Sequence, residues 1–269
     1  MKLSVMLFPF NRPLIDGTLT ATTLINTLKD AGAEGVETMH GLEDSHPAIW
    51  QQLLDAIHAA DLPIACHDIG VNLIGNAADR DQRLDEARRQ ILFAHDVLHT
   101  KTVLLYNSSI TDSSSLAEGR YIYGRSLGKL ADFAATLGIS ATIEDFDPTP
   151  HLACRAADCK TIIGIAGSHA GLTFDTGNFQ MAGESPLAIF PLVRDLIKHV
   201  HIKDRGLKPV PDEKGNIFGP CVIGQGVAQI RECVCLLKNA AYEGFISAEI
   251  FGNKLEDAVS ALQFLNDCR

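Results

Sequence analysis

Eight short β-rich runs alternate with longer amphipathic stretches from one end of the chain to the other, and that alternation leaves few folds open. "LSVMLFP" near residue 3, "GVETM" from Gly35, "PIACHD" from Pro63 and "TVLLYN" from Thr102 read as strands. "ISATIED" from Ile139, "GLTFD" from Gly171, "KHVHIKD" from Lys198 and "GFISAEI" from Gly244 supply the other four. Apolar residues at helical spacing fill the gaps. In "LGKLADFAATLG", Leu127, Leu130, Phe133, Ala134 and Leu137 share one face and Gly138 ends it. "LLDAIHAADLP", "LDEARRQILFAHDVL", "PLAIFPLVRDLI" and "VAQIRECVCLLKNAAY" repeat the pattern, and "LEDAVSALQFL" closes it. Eight strand–helix units over residues 1–269 match one α/β domain, a single (β/α)8 TIM barrel. A doubly wound open sheet uses the same alternation and is the rival.

Charge and cysteine usage narrow the function classes. A formal net charge of −10 argues against a nucleic-acid partner or an anionic membrane, both of which need a basic face. The seven cysteines are odd in number and contain no C-x-x-C pair, so neither a disulfide framework nor a zinc–thiolate site is indicated. The opening "MKLSVMLFPF" has a lysine before an apolar run, but Pro9 breaks it and no small-residue cleavage site follows. A buried first strand is the better reading. No segment reaches the length needed to cross a bilayer, and the expected location is cytoplasmic.

In a barrel of this kind, catalytic groups lie at the C-terminal ends of several strands. Strand five ends in Glu144, six in Asp175, seven in His201 and eight in Glu249. Successive strand residues face opposite sides. Ile143, Phe174, Val200 with Ile202, and Ala248 with Ile250 therefore pack outward, while the four polar groups face the axis. Three carboxylates that close together resist ionisation unless a cation joins them. Three oxygens and one imidazole suit a single divalent ion: Mn²⁺, Co²⁺ or Mg²⁺, with Zn²⁺ also admissible. His199 lies on the same face two residues lower and reads as a hydrogen-bonded interior residue.

"TIEDF", "LTFDTGNF", "HVHIKD", "IGQG" and "ISAEIF", in that order, resemble the xylose-isomerase-like TIM-barrel superfamily. It includes sugar isomerases and epimerases of the D-tagatose 3-epimerase kind, inosose-processing enzymes and endonuclease IV. The resemblance runs through the whole chain; it is specific for the superfamily and weak for the substrate. It implies one metal held by Glu144, Asp175, His201 and Glu249, with Glu144 and Glu249 doubling as the acid/base pair. Lys203 and Asp204 match an "H-x-K-D" pattern of the group. Close epimerase relatives carry a histidine three residues after the strand-six aspartate, where this chain has Asn178. Asparagine donates to a substrate hydroxyl but is no ligand or proton relay, and the multi-zinc nuclease branch needs more histidines.

The expected activity is that of a metal-dependent sugar or polyol isomerase/epimerase working through an enediolate. The alternative is a dehydratase of an inosose or related polyol on the same site. The expected partner is a small sugar or polyol, without nucleic acid or membrane, and homo-oligomer formation stays open. Candidate substrate contacts are His67 in "CHDIG", Asn107 in "LLYNSS", Asn178 and Lys203, with Tyr106 and Glu37 beside them. His67 is equally readable as a structural histidine. Gly224 and Gly226 either let backbone amides approach an anion or simply make a tight turn, the turn being favoured. The long connection "DRGLKPVPDEKGNIFGPCVIGQG" reads as a pocket wall or a lid.

Overall fold

The computed structural model describes residues 1–106, 108–109, 115–146, 152–213 and 215–269. Its strands are β1 (Lys2–Met6), β2 (Gly35–Met39), β3 (Ile64–Gly70), β4 (Thr102–Tyr106), β5 (Ser140–Glu144), β6 (Ala170–Asp175), β7 (Ile197–Ile202), β8 (Arg205–Leu207), β9 (Phe218–Pro220) and β10 (Phe245–Ala248). Eight of them close into a parallel barrel in the order β1-β10-β7-β6-β5-β4-β3-β2, which settles the choice against an open sheet. The helices are α1 (Asn11–Ile15), α2 (Ala21–Asp30), α3 (Leu42–Ser45), α4 (Pro47–Ala59), α5 (Ala77–Asp96), α6 (Leu116–Thr136), α7 (Ala156–Ala166), α8 (Asn178–Met181), α9 (Pro186–Val193), α10 (Ile230–Asn239) and α11 (Leu255–Asn266). No helix among the described residues is long and apolar enough to cross a membrane.

The described residues gather into two compact units, Met1–Ala65 with His201–Arg269, and Cys66–Val200. In the first, β1 lies between β10 and β2, with Ser4 opposite Ser247 and Met6 opposite Glu37. Helix α2 starts where the Thr20 hydroxyl accepts from the Thr23 amide at 3.1 Å, and Ala21, Leu24, Ile25 and Leu28 form its buried face. The long connection after β7 is not plain loop: β8 and β9 form an antiparallel hairpin in it, pairing Arg205 with Pro220 and Leu207 with Phe218.

In the second unit, β3, β4, β5 and β6 pair in sequence order. Gly124 and Gly128, one turn apart on α6, allow α7 to come close. A Cβ on either would meet α7 backbone oxygens, Ile162 O at 2.8 Å and Ala166 O at 2.6 Å respectively. A substitution at either position would have to push the two helices apart.

Register and parity define which side chains face the axis. Asp68, Leu104 and Thr142 are in line on one face, and His67, Val103 and Ala141 on the other. The axial face is unusually polar. Thr142, Thr173, His199 and Ser247, each two residues before a strand-end candidate, are all buried. Thr142 donates to Val103 O at 3.0 Å and its hydroxyl lies 2.8 Å from that of Thr173, so these groups are hydrogen-bonded rather than stranded.

Candidate metal centre

Each of the four expected ligands stands at or beside the C-terminal end of its strand. Glu144 and Asp175 are the last residues of β5 and β6, His201 is the penultimate residue of β7, and Glu249 follows the last residue of β10. The Glu249 amide donates to Ile202 O at 2.9 Å, which continues the pairing of the two strands and fixes where its side chain starts.

Within the first unit, His201 is held between two carboxylates. Its Nε2 lies 2.9 Å from Glu37 Oε1, both side chains fully buried, and its Nδ1 lies 3.3 Å from Glu249 Oε2. Glu37 thus serves as the acceptor for a proton on Nε2, which leaves Nδ1, on the Glu249 side, as the nitrogen that would face a metal in place of its own proton. The other oxygen of Glu249, Oε1, is 2.5 Å from Lys203 Nζ. Burial raises the Glu249 carboxyl, but the Lys203 ammonium and His201 outweigh it and bring its pKa down to about 2.

Within the second unit, three carboxyl groups crowd the adjoining ends of β5 and β6. Glu144, Asp145 and Asp175 are all buried. Burial first, then the charges of Asp175 and Glu144, raise the Asp145 carboxyl well above the usual range. Asp175 is aimed by its own turn, Oδ1 accepting from the amides of Gly177 at 2.7 Å and Asn178 at 2.8 Å. Tyr106 ends β4 nearby, and its phenol is raised by burial, then by Asp68 and Glu144.

Among the described residues, three groups have the donor types and closeness that a metal ion needs, one ligand atom from each residue and all within 4.8 Å of one another: Glu144, Asp175, His201 and Glu249; Glu37, His199 and His201; and Glu37, Cys66 and Asp68. The first group fits a hard divalent cation, with three carboxylate oxygens and one imidazole nitrogen as its donors. The crowding of buried carboxylates around Asp145 and Asp175 is the electrostatic condition that a cation relieves.

The remaining candidates divide. His67 is not at a strand end, because β3 continues to Gly70, and its register turns it outward against Phe93 of α5, ring centroids 6.0 Å apart. That placement is in keeping with the structural-histidine reading of His67; the residue of "CHDIG" on the same face as Leu104 and Thr142 is Asp68, fully buried, which sequence reasoning passed over. A strand longer by two residues carries the signal that would have found it. Asn178 is buried and donates its side-chain amide to Asp145 O at 2.9 Å, so part of its donor capacity holds the turn after β6. Lys203 is buried against Glu249. Asn107 lies outside the described residues. The Gly224 and Gly226 amides do face an anion, but it is the carboxylate of Asp204, 2.9 Å from each.

A family model described as xylose isomerase-like TIM barrel matches residues 25–268. The chain belongs to the xylose isomerase-like TIM barrel family. An inosose dehydratase from Bacillus thuringiensis (strain Al Hakam) is 32% identical over 126 residues, covering 41% of this chain and 42% of that protein. The match thus spans about two fifths of that relative's length. Among solved structures, a D-tagatose 3-epimerase-like protein superposes with a TM-score of 0.77 at 20% identity, over 100% of this chain and 97% of the other. A xylose isomerase-like TIM barrel protein from Mycobacterium smegmatis, in complex with magnesium, gives a TM-score of 0.72 at 16% identity, over 92% and 87% of the two chains. These structural likenesses show the fold shared across the xylose isomerase-like family.

Proposed function

We propose that this chain is a divalent-metal-dependent enzyme that removes a proton next to the carbonyl of a sugar or polyol and acts as an isomerase or epimerase. Glu144, Asp175, His201 and Glu249 are its metal ligands, and Glu144 and Glu249 are also its acid/base pair. The observation that carries this reading is the closeness of those four donors, all on strands that neighbour one another in the barrel. The magnesium complex of the M. smegmatis family member is in keeping with it.

A divalent cation held there supplies polarisation of the substrate carbonyl and a neighbouring hydroxyl, which acidifies the C–H bond between them. One glutamate takes that proton, and the C–H electron pair moves into the enediolate. The other glutamate returns a proton, to the opposite face for epimerisation or to the adjacent carbon for aldose–ketose isomerisation. Lys203 keeps Glu249 oriented and presents N–H donors at the same edge of the site. With a cation bound, His201 would be a neutral ligand through Nδ1, its Nε2–H given to Glu37.

The second reading is a dehydratase, favoured by the 32% identical stretch shared with the inosose dehydratase. There one glutamate takes the carbon-bound proton, the β-hydroxyl takes a proton from the other glutamate and departs as water, and the C–H electron pair becomes the new double bond.

The test is turnover of a panel of ketoses and inososes in deuterium oxide with Mn²⁺ or Co²⁺ present. Deuterium at the carbon beside the carbonyl is the expected result, and loss of water separates the lyase from the epimerase. Glu144→Gln and Glu249→Gln should each lower turnover by about 10²- to 10⁴-fold, the usual worth of a positioned acid or base. Full turnover in either variant refutes the acid/base assignment.

A further inference from the structure

The connection after β7 is tied to the end of that strand through one carboxylate. Asp204 is 2% exposed and accepts four backbone N–H groups: Arg205 and Gly224 at 2.9 Å, Gly226 at 2.9 Å and Ala228 at 3.1 Å. The Val227 amide adds a bond to Arg205 O at 2.8 Å. Charge-assisted bonds of this kind are the strong ones, and a concave run of backbone amides is a ready anion receptor. Only glycine lets the turn approach so closely: a Cβ on Gly226 would meet Asp204 Oδ1 at 2.2 Å and Arg205 O at 2.5 Å. The hairpin of β8 and β9 secures the outer part of the same connection.

Lys203 and Asp204 are successive residues between β7 and β8, and their side chains meet different partners. The aspartate goes to the turn, and the lysine goes to Glu249 Oε1 at 2.5 Å. Glu249 Oε2 is then left 3.3 Å from His201 Nδ1.

We infer that Asp204 is a positioning residue: by gathering the 224–228 turn onto the end of β7, it holds Lys203 against Glu249 and so aims the second oxygen of Glu249 toward His201. The long connection is accordingly a fixed wall of the site and not a lid. This rests on the metal centre proposed above, and it separates the two residues of the "K-D" pair by role. Lysine acts at the centre, and aspartate acts through it.

The test titrates Mn²⁺ into the full-length protein and four variants, Asp204→Asn, Gly226→Ala, Lys203→Met and the double variant of Asp204→Asn with Lys203→Met. Limited trypsin digestion runs alongside and reads cleavage after Arg205, which is buried and stacks on Phe251 at 4.9 Å. Asp204→Asn keeps the shape but turns an NH₂ group toward the turn's donors. It should weaken Mn²⁺ binding about 10-fold, the lower range for an outer partner of a ligand, and hasten the Arg205 cut. Gly226→Ala should reproduce both effects by forcing the turn away, without touching a charge. The double variant should bind no more than about twofold more weakly than the weaker single variant, because residues acting in series are not additive. Additive losses, or wild-type Mn²⁺ affinity in Asp204→Asn, overturn the inference. If the wild-type protein takes up no Mn²⁺, the metal reading falls. The trypsin arm then decides the clamp alone: an earlier cut in Asp204→Asn upholds it, and an unchanged cut overturns it.

Discussion

His201 and His67 sit in similar runs, "HVHIKD" and "IACHDIG", each with a histidine that follows an apolar residue and an aspartate within three residues behind it. The structure uses them in opposite ways. His201 faces the barrel axis between Glu37 and Glu249, whereas His67 faces the helix layer and meets the edge of Phe93. Residue type therefore decides nothing here. Phase along the strand does, and phase is only as good as the assigned strand end. In β7 the alternation His199, Val200, His201, Ile202 sets the phase from within. In β3 every residue from Ile64 to Ile69 is buried, so the burial pattern carries no alternation at all.

The sharpest way to break this comparison is to remove each histidine. His201→Ala takes away a nitrogen donor and removes its bond to Glu37. Mn²⁺ affinity should fall by at least ~100-fold, beyond the range of an outer partner, and turnover should fall with it. Calorimetric titration of Mn²⁺ checks the first, and a product assay the second. Near-normal affinity would make His201 a structural residue and remove the centre's only nitrogen ligand.

A smaller effect comes from the group behind it. Glu37→Gln preserves shape and an acceptor oxygen for Nε2–H, and loses the charge that makes His201 a stronger donor to a metal. Binding of Mn²⁺ should weaken by about 10-fold, towards the lower end of the outer-partner range. ¹⁵N chemical shifts of the His201 ring read the tautomer independently of activity. A ring carrying its proton on Nδ1 in the wild-type protein would defeat the role assigned to Glu37.

Much of this architecture was legible because the barrel writes a repeated pattern. "TIE", "TFD", "HVH" and "SAE" share one form: a small or polar axial residue, an outward apolar residue, then a donor. The features that were missed lack that form. Strands β8 and β9 have three residues each and are stabilised by Asp204 and pairing across ten intervening residues, which no local periodicity records. Helix α2 carried a visible signal, apolar positions at 21, 24, 25 and 28, but its threonines obscured it. Asp204 was readable as part of "H-x-K-D", yet its role depends on amides twenty and more residues away. The register of Asp68 depends on β4, which only the folded sheet supplies.

The smallest expected effect completes the contrast. His67 is fully buried on the helix-facing side, so His67→Phe exchanges one flat ring for another against Phe93 and gives up whatever the imidazole nitrogens bond. The cost should be about 1–3 kcal/mol of stability, the penalty for a buried polar group left unsatisfied. Mn²⁺ affinity should change by less than about twofold, since independent sites are nearly additive and the ring points away from the axis. Asp68→Asn, one residue on, should do the reverse: little change in urea midpoint and a measurable loss of turnover, because its carboxylate faces the axis with Tyr106 and Glu144. Urea melts and metal titrations on the two variants decide it. If His67→Phe lowers metal affinity while Asp68→Asn leaves turnover intact, His67 and not Asp68 is the residue of β3 that serves the site.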